Sequence, residues 1–194
     1  MNPPYRALSP GATIAVIAPA SPATDEALAR APAVIETMGY TPRLYPGCFA
    51  RNDYLAGDDD CRLADLHAAF AADDVAAVLC LRGGYGSGRL LERIDRRLLF
   101  AEPKPLIGYS DITVLHAQFS NAGIASFHGP MLTSDLLDVA DPMTQCGLAC
   151  LRDGLPFCNP IEFPVASNHR DRHSHPRLCK SIWPYGPRRR SRPG

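Results

Sequence analysis

Apolar residues fall along this chain in two rhythms. Short continuous runs such as "TIAVIAPAS" (13–21), "VAAVLCLRGG" (75–84) and "KPLIGYS" (104–110) are rich in Val, Ile and Leu and stop at Gly, Pro or Ser. They read as strands buried on both faces. Between them lie segments with apolar residues three and four apart. In "DDDCRLADLHAAFAADD" the spacing predicts a helix with Leu63, Leu66, Ala69 and Phe70 on one face. "TDEALARAPAVIETMGY" starts with a Ser/Thr cap and acids in its first turn and ends at Gly39. Pro32 either kinks this helix or starts a second segment. "GRLLERIDRRLLF" predicts an amphipathic helix with Leu90, Leu91, Ile94 and Leu98 inward. "TPRLYPG" reads as a weaker strand, "DITVLHAQFSNAG" as a helix closed by Gly123, and "IASFHGPM" as a last strand. Strands alternating with helices predict an α/β fold, a doubly wound parallel sheet covered on both faces.

The end of the chain breaks the pattern. Residues 1–165 carry 12 basic and 19 acidic side chains, whereas residues 166–194 carry 8 and 1. The reversal predicts a boundary near residue 165. "VASNHRDRHSHPRLCKSIWPYGPRRRSRPG" fits neither period and has few aliphatic residues. Residues 166–194 are therefore expected to form a disordered basic tail. The acidic body opposes nucleic-acid binding by "RRRSRPG", so no nucleic-acid partner is expected.

Other bulk features narrow the setting. No run of about 18 apolar residues suggests a membrane span, and "MNPPYRALSPG" lacks the charge-then-apolar order of a signal peptide. The seven cysteines are scattered, with no CxxC pair. A disulfide framework or metal site is not expected, nor a cofactor, and a reducing cytoplasm is the simplest setting. Cys80, inside an apolar run, reads as a small buried hydrophobe.

Chemistry concentrates at two corners where strands end. "RGGYGSGR" (82–89) follows one strand and "GYSDIT" (108–113) another. In an open parallel sheet both point at one crevice beyond the carboxyl ends of the strands. At the second corner Ser110 stands beside the unpaired N–H groups and positive dipole end of a helix. The Asp111 amide is a natural oxyanion donor, and the amide of Gly84, which lacks a side chain, can approach a ligand closely. Two plainer readings stay open: Ser110 as an ordinary helix N-cap, and "GYGSG" as a tight turn or phosphate cradle. A serine nucleophile needs a base. His67 reads as a solvated residue on an exposed helix, and His116 as a core or supporting residue. His128, at a strand end, could reach the crevice. His169, His173 and His175 fall in the tail.

"IAVIAPAS", "LRGGYGSGRLL", "IGYSDIT" and "HGPM", in this order and spacing, resemble the LD-carboxypeptidase family. That family includes the muramoyltetrapeptide carboxypeptidases and the microcin C7 self-immunity proteins, and the resemblance covers roughly residues 8–165. It implies a cytoplasmic serine peptidase with a flavodoxin-like N-terminal half and a second, C-terminal half, usually a homodimer. The implied reaction is hydrolysis of an L,D-amide in a murein tetrapeptide, releasing D-alanine. The resemblance carries over Ser110 as nucleophile and the amides of Gly84 and Asp111 as oxyanion hole. The family's Glu and His of the triad lie in the C-terminal half, which residues 166–194 do not resemble. Those residues have the composition of an out-of-frame reading, so the chain is expected to hold a nucleophile domain (1–165) with impaired activity. The contrasting expectation is a non-catalytic remnant or a small-ligand or phosphate-binding α/β module.

Overall fold

The computed structural model describes residues 8–101, 104–121, 124 and 126–137, with three further single positions at 145, 149 and 152. The elements alternate as β1 (Thr13–Ile17), α1 (Asp25–Thr37), β2 (Thr41–Leu44), α2 (Asp59–Ala71), β3 (Val75–Cys80), α3 (Arg96–Ala101), β4 (Leu106–Gly108), α4 (Thr113–Asn121) and β5 (Ser126–His128). The five strands form one sheet in the order β2-β1-β3-β4-β5, and every pairing is parallel. This is the flavodoxin-like α/β order. The chain leaves β1 for one side of the sheet and returns to the other, so the order reverses between β1 and β3. That switch point is where open α/β sheets take their ligands, outside the carboxyl ends of the strands.

The buried runs behave as the parallel sheet requires. Alternate residues of one strand enter different cores. Ile14 and Val16 pack with Ala31 and Ile35 of α1, while Ala15 and Ile17 pack with Leu66 and Phe70 of α2 and with Phe119 of α4. Phe70 and Phe119 meet edge to face, with ring centroids 5.2 Å apart. Cys48 and Cys80 lie in these cores, and burial pushes both thiols up, Cys48 to about 12. Neither is a ready thiolate.

The caps follow the sequence. Thr24 Oγ1 accepts the Ala27 N–H at 3.2 Å, and Asp58 Oδ1 accepts the Cys61 N–H at 2.8 Å. One helix runs through Pro32, anchored on both sides of it by the fully buried Ala31 and Ile35.

Two expectations need correction. The single helix over 88–100 is instead a 3-10 segment, Ser87–Arg93, followed by the separate α3. The break at Ile94 and Asp95 resets the phase, so Leu99 rather than Leu98 is fully buried. His67 is not a solvated side chain on an open face. Its Nε2 accepts the Asp95 N–H at 3.0 Å, and partial burial lowers its pKa.

Two charged residues of α2 lie inside. Arg62 is 1% exposed, pairs with Asp59 and donates from Nη1 to the Pro19 carbonyl at 2.7 Å. Asp65 accepts the Gly47 N–H at 2.6 Å. Their charge gave no outward sign of burial. Each is tolerated because it meets backbone groups that would otherwise be unpaired.

No described helix is long and apolar enough to cross a membrane. Gly123, the proposed boundary near 165 and the tail histidines lie outside the described residues.

Candidate functional site

The glycine turn and the serine corner leave neighbouring strands. Val78 pairs with Leu106 and Leu79 with Ile107, so β3 and β4 run in register to the same edge. β4 ends at Gly108, and Tyr109 is extended at φ −150°. Ser110 then adopts φ +61°, and a 3-10 turn, Ser110–Ile112, leads into α4. A left-handed conformation is costly for a residue with a side chain, about 1–2 kcal/mol. It makes the corner sharp, and Ser110 is exposed there.

Ser110 does not cap the helix. The cap position of the 3-10 turn is Tyr109, with no side-chain capping bond. The first bond of the turn runs from the Ile112 N–H to the Tyr109 carbonyl at 3.2 Å. The Asp111 amide precedes that bond and, among the described residues, stays one of the unpaired donors at the helix start. The plain N-cap reading of Ser110 is thereby set aside.

The glycine turn lies directly against this corner. A Cβ built on Gly83 would stand 3.1 Å from Ser110 Cβ and 3.3 Å from its Oγ. Gly84 has φ +120°, and a Cβ there would fall 2.2 Å from Ser21 Oγ. Among the described residues the Gly84 N–H has no hydrogen-bond partner. The two corners therefore meet beyond the ends of β3 and β4, with Ser110 packed against Gly83.

The residues beneath the corner were only partly legible. His116 is fully buried, and its Nε2 lies 2.7 Å from the Gly108 carbonyl, the last residue of β4. Burial lowers its pKa to about 4, so the ring is neutral near pH 7 and Nε2 donates. His128 pairs in register with Gly108, and its ring lies 5.8 Å from Tyr109 and 6.2 Å from His116. Tyr109 Oη donates to Asp135 Oδ1 at 3.3 Å, and Asp135 Oδ2 accepts the Met131 N–H at 3.0 Å. Burial, then the Asp135 charge, pushes the phenol up.

Ser21 was missed as more than a strand end. It follows β1 across the switch point and contacts the glycine turn. The only sequence signal was a serine after a Pro-broken apolar run, which many loops share. Among the described residues no group of three or more His, Cys, Asp or Glu is placed to hold a metal ion.

A doubly wound sheet with a left-handed serine at its carboxyl edge, packed against a glycine turn, defines the class of α/β proteins whose ligand edge lies at the switch point. Residues 14–129 match the LD-carboxypeptidase N-terminal domain, and the chain belongs to that family. It is 46% identical over 147 residues to a probable murein peptide carboxypeptidase of Bacillus subtilis, covering 75% of this chain and 46% of that protein. It is 46% identical over 121 residues to the murein tetrapeptide carboxypeptidase of Pseudomonas aeruginosa, covering 62% and 39%. The muramoyltetrapeptide carboxypeptidase of Oxalobacter formigenes superposes with a TM-score of 0.61 at 34% identity, over 70% of this chain and 45% of that one. MccF in complex with glutamyl sulfamoyl guanosine shares the fold, with a TM-score of 0.70 at 23% identity over 76% and 46%. The chain spans less than half the length of each of these relatives.

Proposed function

We propose that this chain carries the nucleophile domain of a serine LD-carboxypeptidase acting on murein peptides. The observation that carries the reading is the φ of +61° at Ser110 beside the glycine turn. A strained non-glycine residue at a ligand edge is retained where its side chain is needed. Ser110 Oγ attacks the carbonyl carbon of the L,D-amide. The oxygen of that carbonyl takes up negative charge and is stabilised by the amides of Gly84 and Asp111 and by the helix start. Collapse breaks the C–N bond, the proton from the Ser110 hydroxyl passes to the departing D-alanine amine, and water then releases the acyl group from Ser110 as a carboxylate. The murein substrate is supported by the names of the relatives at 46% identity.

Proton transfer sets the rate. A serine hydroxyl needs a base, and the resemblance places the family's Glu and His beyond the half matched here. A serine nucleophile that lacks its positioned base keeps only about 10³–10⁴ over water. The 194-residue chain is expected to release D-alanine from a murein tetrapeptide far below an enzymatic rate. An activated ester, p-nitrophenyl acetate, bypasses the need to protonate a leaving amine. There a bond forms from Ser110 Oγ to the acetyl carbon, p-nitrophenolate leaves, and the hydroxyl proton goes to solvent. Mass spectrometry should find the acetyl group on Ser110 and not on the Ser110→Ala chain. Acetylation that is indifferent to Ser110→Ala would overturn the nucleophile. Rapid D-alanine release abolished by Ser110→Ala would instead overturn the missing-base reading and make His128 the candidate base.

A further inference from the structure

The glycine turn has little to hold itself with. Gly83, Gly84, Gly86 and Gly88 fall within eight residues, and Gly84 and Gly86 have positive φ. A donor carried on such a segment aims at a ligand only if something outside the turn fixes it. We infer that Ser21 and the Asp111 carboxylate clamp the turn from its two sides and so point the Gly84 N–H at the Ser110 corner. The inference rests on the reading of that N–H as an oxyanion donor.

Ser21 works from the end of β1. Its N–H donates to the Gly83 carbonyl at 3.3 Å, and its Oγ accepts the Tyr85 N–H at 3.3 Å. The two bonds bracket Gly84. The peptide joining Gly83 to Gly84 is planar and trans, so its C=O and N–H point in opposite directions. With the carbonyl bound to Ser21, the Gly84 N–H points away from Ser21. Ser110 packs against Gly83, whereas Ser21 fills the space a Gly84 side chain would need. Ser21 is itself held: two residues before it, the Pro19 carbonyl receives Arg62 Nη1.

Asp111 works from the serine corner. Its Oδ2 accepts the N–H of the fully buried Ser87 at 2.8 Å. An acid at a helix start ordinarily turns back to cap its own amides. This turn has no side-chain cap bond, and the carboxylate instead crosses to the glycine turn. One residue therefore supplies one donor of the crevice and latches the segment that carries the other. Ser21 and the Asp111 carboxylate are positioning groups, acting through Gly84 rather than on the substrate.

The test uses the full chain and p-nitrophenyl acetate. Ser21→Ala keeps Cβ and removes the acceptor oxygen; Asp111→Ala removes the latch; Asp111→Asn keeps one acceptor oxygen. The two alanine variants should acetylate Ser110 about 10–100-fold more slowly, less than outright loss of a donor, with the half-saturating ester concentration unchanged. Asp111→Asn should recover most of that rate. Independently of chemistry, the backbone order parameter of the Gly84 amide should fall in the two alanine variants and stay at the parent value in Asp111→Asn and Ser110→Ala. An unchanged Gly84 amide in both alanine variants would overturn the clamp, as would Asp111→Asn matching Asp111→Ala. If Ser110→Ala left acetylation intact, the functional reading would fall, and the Gly84 amide would still decide whether the clamp exists.

Discussion

Two corners leave the same edge of one sheet, and they meet a similar steric demand with different residues. The exit of β3 needs positive φ at two positions and places glycine at both, Gly84 and Gly86. The exit of β4 needs it at one position and places Ser110 there. Glycine removes the strain of a left-handed backbone, so its use at the first corner needs only a conformational reason. Serine at the second keeps a strain of about 1–2 kcal/mol. Backbone need alone accounts for the glycine turn; it does not account for the serine corner, where the nucleophile role proposed for Ser110 supplies a reason. The supports differ as well. The glycine turn is held from outside by Ser21 and Asp111, whereas the serine corner stands on a buried imidazole bonded to Gly108.

The comparison breaks most visibly at Gly84. Gly84→Ala would add a methyl 2.2 Å from Ser21 Oγ at a φ of +120°. Overpacking costs about 1–3 kcal/mol and left-handed strain adds about 1–2, so the total loss should be on the order of 4 kcal/mol. Adding Ser21→Gly removes the clash and leaves the strain. Urea midpoints of the single and double variants separate the two: the double variant should recover part of the loss. No recovery would mean that backbone conformation alone demands glycine here.

The support under the serine corner gives the next effect, and it depends on pH. Burial lowers the His116 pKa from 6.5 to about 4. Above pH 6.5 the ring is neutral whether the chain is folded or not, and stability is complete. As pH falls from 6.5 towards 4, the unfolded chain binds a proton that the folded chain refuses, so stability is lost in that window. The full loss is about 3 kcal/mol. His116→Gln keeps an uncharged donor for the Gly108 carbonyl and should lose that much less between pH 7 and pH 4. Parallel stability curves for the two chains would show that the ring is not held neutral.

The same contrast explains what could be read from the sequence. The sheet, its order of strands and helices, and both corners were legible because apolar runs and glycines report strand ends directly. The helix over 88–100 was misread because Leu90, Leu91 and Ile94 stand three and four apart as in an α-helix, and nothing in "RLLERIDRR" announces a 3-10 segment or the reset at Asp95. Ser21, Arg62 and the Asp111 carboxylate act through tertiary partners 24 to 64 residues away in sequence. Pattern reading sees periods and caps, and cannot see a carboxylate that leaves its own helix for another loop. The left-handed φ of Ser110 was equally hidden, since a serine before an aspartate looks like any N-cap.

The smallest effect is also the most specific test of the comparison. In a helix or strand interior, glycine is less stable than alanine by about 0.5–1 kcal/mol, because its unfolded chain has more freedom to lose. At Ser110 the order should invert. Ser110→Ala removes the hydroxyl and keeps Cβ in the left-handed region, so the strain remains. Ser110→Gly removes Cβ and with it a strain of about 1–2 kcal/mol, against an entropy penalty of about 0.5–1. The glycine variant should therefore unfold at a higher urea concentration than the alanine variant, by about 0.5–1 kcal/mol, with the same denaturant slope. Both variants lack the proposed nucleophile, so neither should be acetylated. If Ser110→Gly proved less stable than Ser110→Ala, the corner would carry no strain there. The serine would then need no functional reason to stand where its neighbouring turn uses glycine.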